Sequence, residues 1–175
     1  MPSDIELCIY KIFTHNRVDV FSSEEIYNLL FDAISFLKKK YKIEIYAYLL
    51  MPNQVHLVTD LSLEDIETDF TDNFKKITRN NAIQVLEKLG ENNTLDELEI
   101  ARGKKKYRLW EVKADIEKIE GLEKLTKKIE LLHNKPVQTE IVEDAAEYNY
   151  SSAKFYIIGK PTEIKILDYR NLFDE

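Results

Sequence analysis

The sequence predicts an α+β sandwich: one antiparallel sheet with helices packed on one face. Three observations predict it. Hydrophobic spacing switches between a two-residue and a 3.6-residue repeat along the chain. The segments run strand, helix, strand, strand, helix, strand, helix, the order of a ferredoxin-like sandwich. Only four glycines and four prolines occur in 175 residues, too few for linkers, so residues 1–175 read as a single domain.

Residues 5–13 alternate imperfectly and are rich in strand formers, which predicts a first strand. His15, Asn16 and Arg17 break it. Ser22, Ser23, Glu24 and Glu25 supply a cap and early acids for a helix marked by Ile26, Leu29, Leu30, Ala33, Ile34 and Leu37. Lys38, Lys39 and Lys40 close that helix, where cations suit its negative end. Tyr46 to Asp60 reads as two strands broken at Met51, Pro52 and Asn53, because proline suits a strand start and not a sheet centre.

Residues 63–89 carry helical marks at Ile66, Phe70, Phe74, Ile77, Ile83, Leu86 and Leu89, as one helix or two, with a stop near Gly90. Residues 95–106 are charged and read mostly as loop, a short helix being the option. Residues 107–116 read as a fourth strand. Leu122, Leu125, Ile129 and Leu132 mark another helix, limited by Pro136. Tyr148 to Ser152 read as a short helix start before a loop, and Ile164 to Leu167 as a short strand or an extended arm.

No apolar run approaches the roughly 20 residues that span a bilayer, so no membrane partner is expected. A single cysteine, Cys8, excludes an internal disulfide and fits a reducing compartment, hence a cytoplasmic expectation. The formal net charge of −7 opposes nucleic-acid binding by the chain as a whole and requires any such contact to be local.

After Pro52 the strand alternates, so Gln54 and His56 share one face and Val55 and Leu57 the other. The stretch Met51-Pro52-Asn53-Gln54-Val55-His56 resembles the signature of the HUH single-strand transposases, especially the REP-associated tyrosine transposases. Further stretches are similar to family motifs in the family's order: Phe13 to Arg17, Leu109 to Glu111, Leu131 to Val137, and Glu143 to Ser152. The resemblance covers about residues 5–156 and leaves 157–175 as a C-terminal tail. It implies the same ferredoxin-like fold.

In that family a helix tyrosine attacks a DNA phosphodiester. Two histidines and a polar residue one turn after the tyrosine hold magnesium or manganese. Metal polarisation of the phosphate and a covalent intermediate explain why those groups are needed. Here the resemblance places Leu131 at the nucleophile, Lys135 at the third ligand and Gln54 at the first histidine; only His56 is kept. Leucine has no nucleophilic oxygen, and an ammonium repels a metal. The expectation is therefore an inactive relative with no metal cofactor. Another tyrosine (Tyr46, Tyr48, Tyr107, Tyr148 or Tyr150) acting instead is the alternative that keeps activity.

DNA hairpins or single strands are the partners the resemblance implies. Arg17, the pair Lys75 and Lys76 with Arg79 at helical spacing, and the run Lys104, Lys105, Lys106 and Arg108 beside Tyr107 are the candidate contacts. A protein-interaction or structural module is the second reading. It draws on the acidic balance and on a tail (Leu167 to Glu175) that docks on a partner or on the chain's own groove. A homodimer is compatible with either.

Overall fold

A computed structural model describes residues 6–60 and 64–173. The expected strand start at Ile5, the helix start at Leu63, the Ile66 side chain, and Asp174 and Glu175 lie outside what is described.

The elements are β1 (Leu7–Phe13), α1 (Glu24–Tyr41), β2 (Ile45–Met51), β3 (Gln54–Thr59), α2 (Glu64–Leu89), α3 (Asn92–Leu98), β4 (Glu99–Ala101), β5 (Lys106–Tyr107), β6 (Asp115–Ile119), α4 (Leu122–Gln138) and α5 (Ala153–Ile158). Four strands form one antiparallel sheet in the order β2-β3-β1-β6. That is the expected ferredoxin-like arrangement.

Alternation along the strands divides the core between the two sheet faces. Cys8, Tyr10, Ile12, Tyr48, Leu50, Val55 and Leu57 pack under α1 and α2, against Ile26, Leu30, Ile34, Phe70 and Phe74. The sequence predicts helices on one face alone. A third helix, α4, covers the opposite face: Leu125, Ile129 and Leu132 pack on Leu7, Ile9, Leu49 and Val58. Gln54 and His56 belong to this second face.

α1 begins at Ser23, whose side chain accepts from the Ile26 amide, and ends where Lys42 turns left-handed. The tight turn at Pro52 and Asn53 is held from outside. The Pro52 carbonyl accepts from the Val20 and Phe21 amides at 2.8 and 2.9 Å, and the Asn53 carbonyl from the Thr14 amide at 3.0 Å. The start of β3 is thereby fixed against the end of β1.

Three sequence expectations need correction. The fourth sheet strand is Asp115–Ile119, not 107–116. Tyr107 pairs instead with Glu99 in the small β4–β5 hairpin, and Trp110 touches the sheet through one bridge to Thr14. Leu109 and Trp110 are core plugs whose apolar character mimicked strand alternation; the Trp110 indole donates to Thr78 Oγ1 at 2.8 Å. Residues 95–106 are not mostly loop, since they complete α3 and enter that hairpin. The helix marked from Leu122 runs past Pro136 to Gln138. A proline in the last turn removes a single intrahelical bond, and the Pro136 carbonyl accepts from the Ile141 amide at 2.9 Å.

The tail follows α5 as an extended arm. Ile164 and Ile166 enter the first core, and Tyr169 the second. The outer edge of β2 is paired along its length: Leu50 and Leu167 amides donate to the Tyr150 and Ile45 carbonyls, and the Ser152 amide to the Tyr48 carbonyl. No helix among the described residues is long and apolar enough to cross a membrane.

Candidate nucleic-acid site

His56 is 4% exposed and sits in the middle of the sheet face under α4. Its ring belongs to a polar chain with a defined direction. The Asp19 carboxylate only accepts, so the Asn53 amide nitrogen faces it, at 2.8 Å. Asn53 Oδ1 then accepts from Gln54 Nε2 at 3.1 Å. Gln54 Oε1 is left to accept from His56 Nε2 at 2.8 Å. His56 is thus the neutral Nε2–H tautomer. Burial, and then the positive charges of Lys135, Lys11 and Arg17, push its pKa down to about 3.

Register places Lys11 directly opposite His56 on β1, on the same face, with Leu49 on its other side. From above, α4 presents Lys128, Leu131, Leu132 and Lys135, spaced to share one helical face. Together with Ile9, Lys11 and His56 these residues line a cleft of about 150 Å³. Lys135 is half-buried, and its pKa is lowered by burial, then by Lys11 and Arg17. Its side chain makes no hydrogen bond or ion pair to any described residue. Leu131, at the rim, is 51% exposed.

Four residues singled out in the sequence therefore meet here: Gln54, His56, Leu131 and Lys135. The donors do not fit a divalent metal. One imidazole nitrogen carries the proton given to Gln54, the Gln54 oxygen is occupied by it, and an ammonium stands where a third ligand would be. Among the described residues no cluster of three or more His, Cys, Asp or Glu side chains could hold a metal ion.

No tyrosine lines the cleft. Tyr46, Tyr48 and Tyr148 are buried, and burial pushes the first two up to about 12. Tyr150 is stacked on Tyr27 with ring centroids 3.5 Å apart. Tyr107 lies on the hairpin.

The remaining basic candidates divide. The Arg17 guanidinium lies 3.2 Å over the Phe13 ring, held there by a left-handed turn at Asn16 and Arg17. Lys75 is not a free surface cation: its ammonium donates to the Glu111 and Val112 carbonyls, both at 2.9 Å, tying α2 to the segment before β6. Lys76, Lys104 and Arg108 are exposed. Arg79, Lys105, Lys106 and Tyr107 line a groove of about 430 Å³ between α2 and the hairpin, with Asn80 and Gln84. The structure thus joins two basic segments that are separate in sequence.

Sequence reasoning missed Lys11 and Lys128. Lys11 was visible as the one charge between Leu7 and Phe13. Lys128 was visible as the residue one turn before Leu132 and two before Lys135.

No protein-family model and no curated protein matches the chain. Solved structures do. The fold is similar to a REP-associated tyrosine transposase bound to a REP hairpin, with a TM-score of 0.63 and 14% identity over 93% of this chain and 86% of that one. It is also similar to a protein of Deinococcus radiodurans assigned as a transposase, with a TM-score of 0.50 and 16% identity over 74% of this chain and 90% of that one. The chain has the fold of the HUH tyrosine transposases.

Proposed function

We propose that this chain is a transposase-like DNA-binding protein that holds hairpin or single-stranded DNA without cutting it. One observation carries the reading: the turn of α4 over His56 presents Leu131 and Lys135. A leucine cannot attack phosphorus, and a lysine cannot share a metal with a single, already hydrogen-bonded histidine. Loss of chemistry leaves binding untouched, because phosphate and base contacts need cations and aromatic faces rather than a nucleophile.

The groove of Arg79, Lys105, Lys106 and Tyr107 supplies such groups despite a net charge of −7. The similar transposase is bound to a hairpin, which supports the choice of ligand. The tail, packed on its own core, offers little for the interaction-module reading.

Fluorescence anisotropy with labelled hairpin, single-stranded and duplex DNA tests this, each at two salt concentrations. Structure-selective binding that weakens steeply with salt is expected. A suicide hairpin in manganese is expected to yield no covalent adduct; a phosphotyrosine adduct would overturn the reading.

A further inference from the structure

The cations at the cleft are poorly matched by anions. Glu117 is the acidic partner nearby, and Lys128 holds it at 2.7 Å. The same carboxylate lies 3.6 Å from Lys124 and only loosely, at 3.9 Å, from Lys11. Asp115 stands opposite Lys11 on β6 without an ion pair to it among the described residues. Lys135 has no acidic partner at all among those residues. Yet it is half-buried and faces Lys11 and Arg17, which repel it. Clustering like charges at a partly desolvated position is costly unless something negative arrives.

The cleft is shaped for a small anion. Its volume of about 150 Å³ is enough for one phosphoryl group. Ile9 and Leu132 are buried apolar walls, which strengthens charge pairing beside them, and Leu131 stands at the rim. His56, neutral and with its Nε2 proton already given to Gln54, closes the floor without adding a charge.

We propose that the cleft between β1, β3 and α4 is a metal-independent niche for a phosphate oxyanion, gripped by Lys135 and Lys11, and that in DNA it takes one backbone phosphodiester. The choice of DNA as the source rests on the functional reading above; the anion niche does not.

Two measurements on the full chain separate them. In the first, protein carrying 13C-labelled lysine is titrated, in EDTA, with inorganic phosphate and with thymidylyl-thymidine. The Lys135 and Lys11 signals, assigned by Lys135→Gln and Lys11→Gln, are expected to shift saturably while those of the exposed Lys39 and Lys160 stay put. No saturable shift with either probe, or equal shifts at all four lysines, overturns the niche. In the second, Lys135→Gln is expected to weaken hairpin or single-strand binding about 5- to 20-fold and reduce the salt slope by about one, with Lys135→Arg restoring the slope. DNA binding that is indifferent to Lys135→Gln, with silent lysine signals, removes the niche and leaves the DNA-binding reading standing. Lysine shifts with phosphate in a protein that binds no DNA uphold the niche and remove that reading.

Discussion

Gln54 Oε1 accepts the Nε2 proton of His56 at 2.8 Å, and the far end of the Gln54 amide donates to Asn53 Oδ1 at 3.1 Å. The pair converts a would-be ligand set into a closed hydrogen-bond chain. Every member has its polarity set by the Asp19 carboxylate at the chain's end. Gln54→Ala therefore leaves a buried imidazole N–H and an amide oxygen without partners. It is expected to cost about 1–3 kcal/mol in urea unfolding. A change below a few tenths would mean that water replaces Gln54 without loss.

Acid should destabilise the fold through its buried histidines. His133 is hydrogen-bonded to Ser152 at 2.7 Å, and burial lowers its pKa to about 4. Between that value and the ordinary pKa of about 6.5, the unfolded chain takes up the proton and the folded one does not. The contribution is fully present above about pH 6.5 and is lost as pH falls toward 4, by up to about 3 kcal/mol. Unfolding free energies measured from pH 8 to pH 4.5 should decline accordingly, and more gently in His133→Gln. An equal decline in both proteins would place the acid sensitivity elsewhere.

Lys75 and the hairpin lysines should separate stability from binding. Lys75→Met loses two charged donations to carbonyls, which lowers stability by roughly 1–3 kcal/mol while leaving the salt slope of DNA binding intact. Charge reversal at Lys104, Lys105 and Lys106 should do the opposite and flatten the slope. If the slope survives that reversal, the hairpin is not part of the interface.

The single tryptophan provides a built-in probe of the junction between α2 and the sheet. Trp110 donates to Thr78 Oγ1, which in turn donates to the Phe74 carbonyl at 2.7 Å. Thr78→Val removes the acceptor and strands the indole N–H in a buried site, so a loss of about 1–3 kcal/mol is expected. Trp110 fluorescence should follow the same unfolding transition as circular dichroism. Restored stability in Thr78→Val with Trp110→Phe would identify the unpaired N–H as the cause.

Much of this arrangement was legible in the sequence where a period could be read. The helix marks from Ile26 to Leu37 and from Leu122 to Leu132 needed only 3.6-residue spacing, and the common face of Gln54 and His56 needed only alternation. The meeting of Leu131 and Lys135 with His56 followed from the resemblance and from the helix spacing. Lys11 was not legible as a member of the site, because its position opposite His56 depends on strand register, which turn geometry and tertiary packing set together. The β4–β5 hairpin has strands of three and two residues, too short for a period to be read. Lys75 looked like its neighbour Lys76, since nothing local reveals carbonyls brought in from residues 111 and 112.

The paired outer margin of β2 has a consequence for self-association. An open sheet margin is an invitation to add strands from another molecule, and native chains blunt it. Here residues 150–152 and 167 already occupy the donors and acceptors on that side. On the opposite margin, β6 carries Asp115, Glu117 and Lys118, charges that disfavour strand-to-strand stacking. Strand addition between two copies of this chain is therefore blocked at the β2 margin and disfavoured by charge at the β6 margin.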